Sequence, residues 1–285
     1  MRLGRLLFLP VFAFLLIFAI IPAFGVLSSS LTGAHGLSFT FYRQTFSQQY
    51  YNAFWTTTWL SLSSSVLAAI WGFVIAFALV RSSMTVLQRI ITALSSTMAN
   101  FAGLPLAVAF MATLGTSGIL TVFLQQYFHV DIVAMGFNLA AFSGLFLAYL
   151  SFLTPLAVIL MLPAVSSLHQ EWEEAMYTLG ASFFLYLRKV AVPVLLPSMI
   201  GTLGLLFANA FSTYVTSYEL AGSSINLVPI LIGYMVNGNV SMNLGLGDAL
   251  SMEEMIVLGV SISFYFFAQR KSLLHAREGR SANAT

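Results

Sequence analysis

The chain has 285 residues, 59% of them hydrophobic and only 7% charged, with a mean hydropathy of +0.92. Soluble domains are about 45–50% apolar, so this composition leaves too few charges to coat a surface in water and points to an integral membrane protein. A net charge of +2 gives no argument for a nucleic-acid partner, and the lack of cysteine excludes disulfides and thiolate metal sites.

In chain order, six segments approach or exceed the roughly 20 apolar residues that cross a bilayer. The first, Leu6–Leu27, follows Arg2 and Arg5. It is longer than the ~7–15-residue core of a secretory signal and is interrupted by Pro10 and Pro22, so it reads as a crossing. The polar and aromatic stretch Leu37–Asn52 is expected to lie along the outer surface. The second crossing, Trp55–Val80, carries the run SLSSS at Ser61–Ser65, whose small hydroxyls suit helix packing. The third, Ile90–Leu114, contains Asn100 and also Pro105, which kinks a helix and frees a carbonyl. After a glycine turn, Ser117–Asp131 reads as a short amphipathic helix, and Leu139–Leu162 as the fourth crossing.

The fifth crossing, Val194–Tyr218, has small residues every fourth position at Gly204, Ala208, Ser212 and Thr216. Asn209, Thr213 and Tyr214 lie beside that stripe. With Asn100 they are the candidates for a substrate path, because polar groups inside a membrane are functional by default. Hydrogen bonding to a neighbouring helix accounts for Asn209 equally well. Glu219–Leu250 is the longest outer segment and is apolar enough to rest on the bundle. The sixth crossing, Met255–Ala268, is short unless it begins near Ala249, which brings Glu253 and Glu254 to the membrane edge. Residues 272–285 form an expected flexible tail.

The charges orient this all-α bundle. With six crossings, ten of the eleven basic residues fall on one side, and Arg43 alone falls on the other with Asp131, Glu219, Asp248, Glu253 and Glu254. Basic loops mark the cytoplasm, so both termini are expected there. Outer acidity is compatible with a cationic solute, but the same rule explains it without one. Chemistry of the soluble kind is missing from the sequence. Neither of the two lysines ends a glycine-rich phosphate loop, His35, His129, His169 and His275 form no ligand pair at helical spacing, and no serine has the partners of a nucleophile. The chain is expected to need no cofactor and to be no enzyme by itself.

One polar stretch, EWEEAMYTLGASFFLYLRKVAVPVLLP from Glu171 to Pro197, stands between two apolar runs on the cytoplasmic side. Its acidic start suits a helix N-terminus, Gly180 offers a left-handed stop, and a second segment places Phe183, Phe184 and Leu187 on one face. Pro193 and Pro197 open the next crossing. The expected object is a helix–turn–helix lying at the membrane face or docked into a partner.

The residue order resembles the EAA loop of inner-membrane permease subunits of binding-protein-dependent ABC importers, the MetI-like permeases. Their signature is E-A-A, three residues, Gly, nine residues, then I-x-L-P. Here Glu174, Ala175 and Met176 stand for the triplet, Gly180 for the glycine, and Val190, Val192 and Pro193 for the closing element, with Ala181 and Ser182 flanking. Met for Ala and Val for Ile or Leu are departures of size. The likeness spans roughly Phe54 to Arg270. It implies a single permease domain of six helices (residues 1–285, core about 54–270) in a bacterial inner membrane, with a cytoplasmic coupling loop at 166–193. It also implies a second permease subunit, an ATPase dimer fitted by the loop, and a solute-binding protein delivering a small solute. Phe183, Phe184 and Leu187 would then anchor the loop while Glu173 and Glu174 face the ATPase. In style the sequence is most similar to the branch serving polyamines, ferric iron and phosphonates. The rival reading is a secondary transporter or channel, which predicts interrupted helices or buried ions; the six segments as bounded above hold no ionisable residue mid-helix.

Overall fold

The structure is a computed structural model that describes residues 9–33, 36–82, 84–237 and 243–282. Among them every long element is helical, and the one sheet is a two-residue pairing of β1 (Thr32–Gly33) with β2 (Gly36–Leu37). Six helices are long and apolar enough to cross a membrane: Pro10–Ser30, Gln48–Arg81, Leu104–Phe128, Phe142–Ser166, Phe183–Phe211 and Leu244–Phe267. The number matches the sequence reading, and the boundaries differ in instructive ways.

Two compact units divide the chain, one of residues 1–57 and 226–257, the other of residues 58–225 and 258–285. In the first unit, α1 (residues 9–30) leaves every residue from Pro10 to Pro22 exposed, and α2 (Thr40–Thr45) precedes the start of α3 (Gln48–Arg81), which begins earlier than Trp55 and runs on as part of the second unit. The segment expected outside after the fifth crossing forms α11 (Val228–Asn237), whose first turn, Val228 to Leu231, is buried behind a shielded Leu227. Its first amide donates to Thr57 Oγ1 at 3.0 Å. The last helix, α12 (Leu244–Ala282), begins at Leu244 rather than Met255. This corrects the expectation of charge-free crossings, because Asp248, Glu253 and Glu254 lie within the apolar helix. Glu253 Oε1 accepts a 2.6 Å bond from Thr45 Oγ1.

In the second unit the expected third crossing is broken into α4 (Thr85–Ala99) and α5 (Leu104–Leu114). Pro105 does not kink a continuous helix. It sits in the first turn of a new one, where its missing N–H costs nothing. The segment expected as a separate outer helix follows as α6 (Ile119–Phe128), ended by His129 in the left-handed conformation at φ 54°. With α5 it makes up the third apolar span, Leu104–Phe128, so it is part of a crossing candidate where a surface helix was expected. α7 (Phe142–Ser166) supplies the centre of this unit, burying Leu145, Tyr149, Phe152 and Met161. Small residues let helices approach it closely: a Cβ added at Gly72 of α3 would overlap Ala157. Ser61, Ser64 and Ser65 are fully buried on that helix, and Ser64 returns its hydroxyl to the carbonyl of Leu60 at 2.7 Å.

α8 (Gln170–Thr178) leads into α9 (Phe183–Phe211). The segment from Phe183 is therefore the opening of the fifth crossing and no separate surface helix. Within α9 the turn Leu187–Ala191 is π-helical, with the Val192 amide on the carbonyl of Leu187, and Pro193 follows at once. The same register recurs in α1, where a π-turn at Leu16–Ile20 ends with the Ile21 amide on Leu16, directly before Pro22. A proline ring collides with the carbonyl four residues back, and a wide turn just ahead of it makes room. α9 stops at Phe211, so Ser212 and Thr216 do not continue the Gly204–Ala208 stripe; Thr216 belongs to α10 (Val215–Ala221).

Candidate functional site

Two places gather the polar residues singled out by the sequence. The first is the elbow between α8 and α9. α8 ends in a Schellman motif: the Gly180 amide donates to the carbonyl of Tyr177 at 2.9 Å and the Ala181 amide to that of Met176 at 3.0 Å. Gly180 takes φ +74°, and a Cβ there would meet nothing within 4 Å. Ser182 then caps α9, its Oγ accepting from the Leu185 amide at 3.3 Å. Two helices are thus stopped and started within four residues by local capping.

The inner side of the elbow is packed. Met176 and Val190 lie against a core of Phe73, Phe77, Met161, Val165, Tyr186 and Leu195. The anchor is Tyr186, 1% exposed, while Phe184 is 69% exposed, so the expected trio of Phe183, Phe184 and Leu187 holds only in part. Phe183 contributes through its ring, 6.1 Å from that of Phe77. The sequence reading missed Tyr186 because it took the segment as an isolated surface helix; in the longer helix 183–211, with its π-turn, position 186 falls on the same buried face as Ala191 and Leu195.

Glu173 and Glu174 diverge. Glu173 turns back onto the protein, where it pairs with Arg81 at the end of α3 and accepts from the Tyr177 hydroxyl at 2.8 Å. Glu174 is exposed and accepts from Gln170 Nε2 at 2.9 Å within its own helix. With Glu171, Trp172, Ala175, Thr178 and Leu179 it makes an outward face that is acidic at one end and apolar at the other. An apolar hollow of about 400 Å³ lies beside it, lined by Trp172, Ala175, Met176, Leu179, Val190 and Val194.

The second place is a pair of helix breaks. Residues 100–103 separate α4 from α5, and residues 212–214 separate α9 from α10. The breaks meet: Gly103, at φ +76°, donates its amide to Thr216 Oγ1 at 2.8 Å. Asn100 lies just before Gly103, and Thr213 and Tyr214 lie just before Thr216, so three of the four path candidates sit at the breaks, with Asn209 about one turn earlier. Asn100 Nδ2 donates to the carbonyl of Ser96 at 2.8 Å, and Thr213 Oγ1 to that of Asn209 at 2.6 Å. Side chains thereby satisfy carbonyls that a broken helix leaves open. Among the described residues no group of acidic or histidine side chains is arranged to hold a metal.

Six apolar helices, two helix breaks and a capped polar elbow define a polytopic α-helical membrane protein. Residues 72–271 match the family described as binding-protein-dependent transport system inner membrane component, and the chain belongs to that family. That match and the six candidate spans make it a multi-pass component of the inner membrane. Among curated relatives, it is 29% identical over 114 residues to the ferric transport system permease protein FbpB of Actinobacillus pleuropneumoniae, covering 39% of this chain and 16% of that one. It is 24% identical over 174 residues to the probable sulfate transport system permease protein cysT of Helicosporidium sp. subsp. Simulium jonesii, covering 60% of each. The matched stretch thus spans less than two thirds of either relative. Among solved structures, the fold is similar to a chain of a bacterial ABC transporter importing the acidic polysaccharide alginate, at TM-score 0.69, 16% identity and 95% coverage of both chains. It is similar at TM-score 0.71 and 16% identity to a chain of the alginate transporter in complex with its pentasaccharide-bound periplasmic protein, covering 95% of this chain and 94% of that one.

Proposed function

We propose that the chain is the membrane-spanning half-channel of an ATP-driven importer whose elbow receives the stroke of a separate ATPase. The observation that carries this reading is the two-sided α8 helix. One side is locked by Met176 and Glu173, while Glu171, Trp172, Glu174 and Leu179 are left facing outward. A helix held behind and free in front is what a docking element needs in order to transmit force. Glu173, Glu174, Ala175, Met176, Gly180, Ala181, Ser182, Val190 and Pro193 form this coupling unit. The partners are a cytoplasmic ABC ATPase dimer, a second permease of the same or a homologous chain, and an extracytoplasmic solute-binding protein. Both chain ends lie in the cytoplasm, and the paired breaks with Asn100, Asn209, Thr213 and Tyr214 line the passage of a small solute.

Interrupted helices also belong to the secondary-transporter reading, and they are present here. Family membership and the outward docking face favour the ATP-driven one. Reporters fused after Gly279 and after Ser83 should both signal cytoplasm and one after His129 the outside; a cytoplasmic signal at His129 overturns the orientation. Coupling is tested by Gly180→Val, which forces a β-branched residue into positive φ, and by Glu174→Lys, which reverses the charge of the docking face. Both should fold, yet lose ATPase on copurification or lose hydrolysis stimulated by the binding protein, together with uptake. Parent-like assembly, hydrolysis and uptake in both variants would sink the coupling role.

A further inference from the structure

Beside the elbow stands a cation, Arg81, that neither the motif nor the substrate path uses. Arg81 is the last residue of α3, and its guanidinium carbon lies 4.4 Å from the centroid of the Phe77 ring, 5.0 Å from Phe183 and 5.3 Å from Tyr186. Its Nη2 pairs with Glu173 Oε2, and the second oxygen of that carboxylate holds the Tyr177 hydroxyl. The side chains of Arg81 and Glu173 are 31% and 17% exposed. Three helices converge on this guanidinium: the end of α3, the coupling helix α8 and the start of α9.

We propose that Arg81 is the positioning residue that sets the coupling helix, an aromatic-boxed ion pair joining α8 to the end of α3. The inference rests on the coupling role assigned to α8. The chain itself links α8 forward to α9 through Gly180 and Ser182. Arg81 adds a second, non-covalent link backward, so that α8 is gripped at both ends of its inner face. A stroke on the outward face then moves the end of α3 together with α9, where a free α8 would swivel about Gly180. The plainer account is that Arg81 is one more basic residue at a membrane boundary, set there by the inside-positive bias. The two accounts differ in chemistry. A boundary charge is satisfied by lysine, whereas three ring faces and a carboxylate in one place call for a planar, stackable guanidinium.

The test uses the full chain assembled with its ATPase and binding protein in phospholipid vesicles, measuring solute imported per ATP hydrolysed. Arg81→Lys and Arg81→Gln should each lower that ratio about tenfold, while the ATPase still copurifies through the untouched outer face. Glu173→Gln should do the same. The double variant Arg81→Gln/Glu173→Gln should fall no further than either single change, as expected when two residues act through one contact. An Arg81→Lys transporter that keeps the parental ratio overturns the proposal and leaves a boundary charge. An Arg81→Lys chain that no longer assembles also overturns it, by assigning the residue to folding. Failure of the underlying coupling role shows separately, as a Glu174→Lys complex that transports normally.

Discussion

The elbow and the paired breaks solve the same problem, irregular backbone between helices, with opposite materials. The elbow uses charge, stacked rings and two capping motifs around Arg81, Gly180 and Ser182. The breaks use neutral bonds only: one amide–hydroxyl bond between Gly103 and Thr216, and hydroxyl or amide side chains returned to their own helices at Thr213 and Asn100. Both meet one demand: a backbone amide or carbonyl left without a partner away from water is costly, whichever groups supply that partner. The elbow is thus held by many groups and the joint between the breaks by few.

That contrast can be broken at several points. The largest effect belongs to the elbow. Tyr186→Ala removes a fully buried ring and should cost about 3–5 kcal/mol, seen as a lowered Tm in detergent and reduced yield. Next is the hydrogen bond at the breaks. Thr216→Val leaves the Gly103 amide without its partner and should cost about 1–3 kcal/mol, while Thr216→Ser stays near the parent. Equal Tm for Thr216→Val and the parent would show that this joint does not depend on the bond. Asn209→Leu and Tyr214→Ala should lower uptake several-fold with little change in Tm and full assembly; normal uptake in both moves the passage elsewhere. The smallest effect is that of Phe184→Ala, exposed on the same turn as Tyr186. It should shift stability by no more than about 0.5 kcal/mol, and a loss as large as that of Tyr186→Ala would mean that the packed face has been misassigned.

Much of this was legible in the residues. Hydropathy yields six crossings because a bilayer demands long apolar runs, and the spacing from Glu174 to Pro193 marks the elbow because turn chemistry is local. What the residues conceal is where a helix begins once polarity stops being a guide. α12 carries Asp248, Glu253 and Glu254 inside an apolar helix, since Thr45 and the surrounding packing accept what a linear scan treats as a boundary. The break at residues 100–103 was read as a kink at Pro105, because proline is visible in sequence and a distant partner such as Thr216 is not. The inward turn of Glu173 was hidden for the same reason: Arg81 is 92 residues away in the chain.

Gly180 carries one more consequence. The space around it is empty out to 4 Å, so nothing there forbids a larger residue on grounds of size. What the position selects is handedness: at φ +74° an L-side chain is strained, while its mirror image sits at ease. A chain assembled by peptide ligation with D-alanine at this position should keep the elbow and its transport intact, and the L-alanine version of the same synthesis should lose part of both. The turn that joins the two helices is, in that sense, a chiral filter written into a single achiral residue.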